Sequence, residues 1–592
     1  MEGLIEGYEH NIESHNQNIK LVKSNLTQLV FLRTVEFAAG ILLSYFMFSV
    51  NGFLFAGSII VTLVVFGILV KKHILLKEKR DFILNLIAIN ENEISALKGD
   101  FSMFNNGSKF IIPEHNYTHD LDVFGKRSIY QYTNRTILEE GSIKLSGWFN
   151  GENLPQDLIQ QQSVINGLST KVKWRQEYQA SGMLHGSSSN ENKSLKELLF
   201  NYKITFQKPI FKILEIVLPI LTTVLFFCWG FGVIGFMPYF LYTLVPIGIT
   251  AVFLKKTNKN YADLDKNLPA LKKAQKLLEL IENETFDDNV YQLIGEIKKG
   301  EGASKSLLKL IKATENLEAR NNPVGGILFN IFLLWDIKCQ RKIENEIIKI
   351  KPELEVWLEM LSQVDALNSL GNFHYNHPEY TFPKKSEDVI LKANELGHPF
   401  LPKRDRVDNS FETNDFGHFT IITGANMAGK STFLRSVGVS LIMAKMGMPV
   451  CAKEYEFKDI QLFTSMRTTD SLQDNESYFY TELKRLKILV DKLKKGEKLF
   501  IILDEILKGT NSKDKAKGSE KFIAKIVGLN AAGIIATHDL SLTNLSEKHS
   551  KINNLCFEVE FGESDLIFDY KLKPGVCKNM NASFLMDKMG IT

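Results

Sequence analysis

The stretch Phe419-Thr420-Ile421-Ile422-Thr423-Gly424-Ala425-Asn426-Met427-Ala428-Gly429-Lys430-Ser431-Thr432 decides the fold. Its first five residues are apolar or β-branched and read as a buried strand. The last nine match G-x-x-x-x-G-K-S-T, and Phe433, Leu434, Val437 and Leu441 continue at helical spacing. Strand, glycine loop and helix in that order form a phosphate-gripping loop. Gly424 and Gly429 let the backbone curl so that its amide hydrogens, together with the helix N-terminus, face an anion. Lys430 would reach the outer phosphates and Ser431 would ligate Mg²⁺, so ATP and Mg²⁺ are the expected ligands.

Two further strands complete the signal. Leu499-Phe500-Ile501-Ile502-Leu503 ends in Asp504-Glu505, where a P-loop ATPase places one carboxylate on the metal side and a second as base for the attacking water. Asp504 takes the first role and Glu505 the second; a solvated strand end is the bland alternative. Gly533-Ile534-Ile535-Ala536 leads into Thr537-His538-Asp539, so His538 stands where ligands bind in a parallel sheet and could sense the terminal phosphate, or the three residues form a helix-capping turn. Strands alternating with helices predict an α/β P-loop ATPase domain with a parallel sheet over residues 383–592.

Upstream the chain reads as helical. Residues 1–28 and 73–117 are polar, with helical spacing and a linker at Asn105-Asn106-Gly107-Ser108. Residues 118–200 form a helical first part of a core, and 257–382 alternate charged and apolar positions like long levers. Two apolar stretches interrupt them. Residues 37–70 carry no charge and divide at Asn51-Gly52; residues 216–254 carry none and break at Gly230, Gly232, Gly235 and Pro238. Each suits two spans of roughly 20 residues, giving four transmembrane helices in hairpins at 29–72 and 211–256. Lys71-Lys72 and Lys255-Lys256 put the flanks on the cytoplasmic side, so the expected location is the inner (cytoplasmic) membrane, multi-pass, with the ATPase domain in the cytoplasm. The competing reading is buried core helices of a soluble protein. With no charge inside the second hairpin, anchorage is favoured over a conduit.

The 71 basic and 68 acidic residues leave a net charge of +3, which supplies no general attraction to a polyanion. Any nucleic-acid contact would come from a local patch. Lys484, Arg485, Lys487, Lys492, Lys494 and Lys495, with Lys513, Lys515 and Lys517, are the candidates, and a solvated helix face explains them as well. Five scattered cysteines without a C-x-x-C pair argue against a zinc cage or a disulfide framework. The N-terminus lacks the pattern of a cleaved secretory signal.

The loop 423–432 closely resembles the TGPNMGGKST of the MutS family of DNA mismatch-repair ATPases, in which the Asn-Met pair is distinctive. Residues 503–514 are similar to the family's MDEIGRGTSTYDG, Ala536-Thr537-His538-Asp539 looks like its ATHY, and Ser477-Tyr478-Phe479-Tyr480-Thr481-Glu482 follows its STFMVE. Asp122-Val123-Phe124 through Asn134-Arg135-Thr136, then Gly141 and Trp148, resembles the start of the family's core, and residues 363–370 the end of its levers. The resemblance implies a homodimer with composite sites, in which Ser477 approaches the terminal phosphate held by the other subunit. It implies that aromatic rings sandwich the adenine, with Tyr570 at the position of the family's stacking His and Phe411 a looser match for the other face. Either ring could instead pack in a core.

Three departures narrow the reading. Residues 73–117 are too few for the mismatch-reading and connector domains and hold no Phe-x-Glu wedge. The second hairpin interrupts the core and lever region, and no nuclease-like tail precedes Thr592. The leading expectation is a membrane-anchored MutS-like dimer with ATP-dependent DNA binding and mismatch or damage sensing. The alternatives are an ABC-like membrane machine that does not act on DNA, although no LSGGQ-like signature is present, and a scaffold that binds ATP without turnover, disfavoured by Glu505.

Overall fold

The computed structural model describes residues 2–184, 191–294, 302–318, 320, 323–425, 427–467, 478–507, 511–561 and 566–578. Its first part is helical: α1 (Glu2–Val50), α2 (Gly52–Leu97), α3 (Ile129–Thr133), α4 (Glu139–Phe149), α5 (Leu158–Thr170), α6 (Val172–Met183) and α7 (Glu191–Asn201). There follow α8 (Pro209–Gly230), α9 (Phe236–Lys266), α10 (Leu268–Asn283), α11 (Asp288–Ile294), α12 (Ala303–Glu318), α13 (Pro323–Leu333), α14 (Trp335–Ile350) and α15 (Leu354–Asn376). The mixed region opens with β1 (Lys384–Lys385), β2 (Leu391–Leu396), β3 (Asn409–Thr413), β4 (Phe419–Gly424), α16 (Lys430–Lys445), β5 (Glu454–Phe457) and β6 (Gln461–Ser465). It closes with α17 (Tyr478–Lys494), β7 (Leu499–Asp504), α18 (Ser512–Gly528), β8 (Ala532–Thr537), α19 (Leu545–Lys548), β9 (Ile552–Phe561) and β10 (Leu566–Pro574).

The chain divides into two compact units. One comprises Met1–Leu97, Arg135–Lys144 and Lys171–Asn368; the other comprises Lys98–Asn134, Leu145–Thr170 and Ser369–Thr592.

In the first unit α1 and α2 lie antiparallel. Phe37 meets Phe66, Phe48 meets Phe55, and Asn11 donates to Asn90 at the far end. Gly40 is needed because a Cβ there would fall inside Thr62. The boundary read from sequence at residue 28 leaves no break: nothing between Asn25 and Glu36 is Gly or Pro, so α1 runs 49 residues, about 74 Å at ~1.5 Å per residue. The hairpin turns at Asn51, whose side chain accepts from Phe53 N (2.7 Å) and caps α2. Away from its apolar half, α2 buries polar groups in pairs: Asn90 with Gln176 (3.0 Å), and Glu93 with Arg135 (2.5 Å). Here two motifs read from sequence meet, because buried Asp365 accepts the amides of Ile137 and Leu138, just past Asn134-Arg135-Thr136. Burial pushes the Asp365 carboxyl up to about 7 against those bonds.

Among the described residues four helices, α1, α2, α8 and α9, are long and apolar enough to cross a membrane, and only 6%, 6%, 17% and 22% of their most apolar windows is buried. They are not core helices, so that alternative fails on exposure. The levers α10, α12 and α14 pack on one another through Leu271, Leu278, Leu310 and Ile343, each at most 1% exposed.

The second unit is built on a six-stranded sheet in the order β10-β9-β4-β8-β7-β6, parallel except for β10, beside a four-stranded sheet β1-β5-β2-β3. The three strands expected from sequence are β4, β8 and β7, side by side at its centre. Every residue of β4 and β8 is buried, as a parallel strand covered on both faces requires. Gly533 in β8 is forced by closeness, since a Cβ would strike the Ile501 carbonyl of β7. Because these strands are parallel neighbours, their carboxyl ends bring residues 424–432, 504–505 and 538 to one edge.

Candidate nucleotide-binding site

The loop after β4 enters α16 through Gly429, which has φ 102° as the helix N-cap, a conformation that favours glycine. Gly424 is equally constrained, because a Cβ would come 2.9 Å from the Phe557 carbonyl. Met427, at φ 65°, stands 75% exposed on the loop's rim. The N-terminal amides of α16 therefore open into a cavity of about 610 Å³, lined by Ala425, residues 427–433, Asp504, Glu505, His538 and Tyr570. Asn426 and Ser477 lie outside the described residues.

Lys430 is 7% exposed and its Nζ donates to the carbonyls of Gly424 (2.7 Å) and Ala425 (2.8 Å). Burial lowers its pKa, while Asp504 pulls the other way. The Ser431 hydroxyl donates to Asp504 Oδ2 at 2.6 Å, so a hydroxyl and a carboxylate oxygen converge where Mg²⁺ would sit. Among the described residues no group of three or more His, Cys, Asp or Glu side chains is placed to hold a metal.

Glu505 follows β7 with φ 52°; its amide donates to Ala536 O (2.9 Å) and its Oε1 pairs with Lys515 Nζ at 2.6 Å. Lys515 was read from sequence only as part of a basic run. Its place ten residues on, in the first turn of α18, is what returns it to the base. Glu482, the last residue of the STFMVE-like element, is 3% exposed and accepts the amide of Leu507 at 2.5 Å, holding the chain just past Glu505. Burial first, and then the charge of Lys430, lowers the pKa of His538, while Glu505 and Asp504 pull the other way, and the balance favours the uncharged ring.

The two aromatic assignments part company. Tyr570 lines the cavity, 43% exposed, with its ring close to where a Cβ on Gly429 would stand. It sits at φ 52° in a register shift of β10, held by Asn409, which donates to Tyr570 O (3.0 Å) and accepts from Leu572 N (2.8 Å). Phe411 does not reach the cavity. It is 4% exposed and packs edge-on against Phe433, because β3 alternates inward and outward and position 411 points in.

Three members of the basic run, Arg485, Lys492 and Lys515, have partners within the chain. Arg485 donates to the carbonyls of His115 and Asn116 and to Asp120, while Lys492 pairs with Glu497. Asp122, at φ 52°, accepts from Arg467 through both oxygens (2.6 and 2.7 Å) and from Arg435 on α16. The motif around Asp122 was legible, but its partners were not.

A family model for MutS domain V matches residues 420–585. Over these residues the chain is similar to the ATPase domain of MutS proteins. The DNA mismatch repair protein MutS of Thermotoga neapolitana is 30% identical over 241 residues, 40% of this chain and 29% of that protein. MutS protein homolog 4 of Homo sapiens is 28% identical over 213 residues, 34% and 22% of the two chains. MutS of Methanosarcina acetivorans is 31% identical over 233 residues, 38% and 25%. The chain thus spans less than a third of the length of these relatives. The matched part holds the loop, Asp504, Glu505, His538 and Tyr570.

Proposed function

We propose that the chain is a membrane-anchored ATPase of MutS type, working as a homodimer whose heads close on ATP. The convergence of Lys430, the Ser431–Asp504 pair, Glu505 and neutral His538 on one cavity carries the reading. Bound Mg²⁺-ATP supplies the phosphoanhydride to be cleaved. The amides of α16 and the Lys430 ammonium hold negative charge, Ser431 and Asp504 hold the metal, and Tyr570 offers a face to the base. Glu505 takes the proton of the attacking water, and uncharged His538 can hydrogen-bond at the reacting end without adding charge. Ser477 of a second copy would complete each site. The exposed apolar helices support anchorage in a membrane, and the basic flanks Lys71-Lys72 and Lys255-Lys256 support a cytoplasmic ATPase unit.

DNA is the effector the relatives' names suggest. The internal commitments of Arg485, Lys492 and Lys515 favour, as second reading, a membrane machine that keeps this motor without DNA. The test is the ATPase rate of detergent-purified full-length protein with homoduplex, mismatched, branched or single-stranded DNA at two salt concentrations. Salt-sensitive stimulation by one of these establishes the DNA-responsive reading. ATP turnover indifferent to all of them establishes the second, and no turnover in wild type refutes both.

A further inference from the structure

Between levers α12 and α14 lies a segment that the hairpins did not absorb. Residues 323–335, Pro-Val-Gly-Gly-Ile-Leu-Phe-Asn-Ile-Phe-Leu-Leu-Trp, carry no charge. The helix they form, α13, is 11 residues long, too short to span a bilayer and of the length expected for a re-entrant or interfacial element. It packs against both α8 and α9. Its other side shows Ile327 (55% exposed), Leu328 (49%) and Phe329 (41%). The neighbouring α8 likewise exposes Ile216, Val217 and Ile220.

Polar groups here are closed on themselves. Asn330 donates to Gly326 O (2.9 Å) and to Asp336 Oδ1 (3.2 Å), and accepts from Asp336 N (3.0 Å). Asp336, 4% exposed, is paired with Arg320 at 3.0 Å. Buried polar groups are paired in any protein interior, and a segment set in hydrocarbon requires such pairing throughout. Two contacts give the depth. Arg341 of α14 pairs with Glu215 of α8 at 2.6 Å, while Phe332 at the end of α13 meets Phe226 further along α8. From Glu215 to Phe226 is about 16 Å of helix at ~1.5 Å per residue, about half of a ~30 Å hydrocarbon layer. Leu334, fully buried, turns the chain within an apolar cluster that includes Leu218 of α8 and Ile337, and Lys338, Arg341 and Lys342 follow on α14.

We propose that α13 and the Leu334 turn form a re-entrant element in the bilayer beside α8 and α9, so that the two levers are joined through lipid hydrocarbon. The occupant of the face made by Ile327, Leu328 and Phe329 is acyl chain. This rests on the membrane reading above, and the test separates the two. Nitroxide labels are placed one at a time through Leu328→Cys, Ile327→Cys, Ile220→Cys on α8 and Asn345→Cys on α14, in full-length Cys228→Ala protein in phospholipid vesicles. Relaxation by oxygen, which enters lipid, is compared with relaxation by a water-soluble nickel chelate.

The expected result is that oxygen dominates at 327, 328 and 220 and the order reverses at 345. Oxygen dominance at 220 with nickel dominance at 327 and 328 overturns the proposal and leaves the anchors standing. Labels at 327 and 328 shielded from both reagents overturn it in favour of a second protein copy on that face. Nickel dominance at 220 as well removes the membrane reading and the proposal together.

Discussion

Lys515→Met removes the cation that holds Glu505 and keeps the length of the side chain. The pair is 2.6 Å long, with the two side chains 22% and 26% exposed. An exposed ion pair is worth ~0.2–1 kcal/mol, and a charge-assisted hydrogen bond ~1.5–3 kcal/mol. A pair three-quarters buried falls between, at about 1 kcal/mol. The Lys515 cation stabilises ionised Glu505 and so lowers its basicity, which stabilises the resting state against proton transfer from water. Its loss should raise the hydrolytic step by roughly fivefold, since ~1.4 kcal/mol is a factor of ten. The assay is single-turnover hydrolysis at saturating ATP, with exposed Lys517→Met on the same helix as control. Hydrolysis by Lys515→Met at or below the wild-type rate, with ATP binding unchanged, would show that the pair is not a restraint on the base.

Tyr570→Ala should raise KM for ATP by roughly 2- to 10-fold with kcat retained, from the ~0.5–1.5 kcal/mol of an aromatic contact, whereas Phe411→Leu should leave KM unchanged; steady-state kinetics on both variants decides. The lowered pKa of His538 also predicts a loss of stability in acid. The folded chain resists a proton that the unfolded chain takes up near its ordinary value of 6.5, so stability present above that pH falls away below it. His538→Gln should therefore lose less stability than wild type between about pH 7.5 and about pH 5.5, measured by denaturant unfolding.

The nucleotide site was legible because its chemistry is local in sequence. Lys430 and Ser431 adjoin in the chain, Asp504 and Glu505 end one strand, and the parallel sheet puts both beside His538. What failed to show was set by contacts between distant segments. Phe411 looked like a stacking ring because identity and rough position were all the sequence offered; the inward register of β3 decides otherwise. Lys515 was hidden in a run of similar charges, and only the first turn of α18 selects it. The apolar hairpins were visible from composition, but α13 is shorter than the length that marks a span and emerges only from its packing on α8 and α9.

Asp122 has a consequence for genetics. One carboxylate is shared between Arg435, on the helix that opens at Lys430, and Arg467, ten residues before Ser477 in the chain. A lesion at residue 122 falls far from every nucleotide motif in the linear map. Scored by phenotype, it would group with alleles of the loop and of Ser477, and a second-site search starting from it should recover changes at 435 and 467 before any in its own neighbourhood.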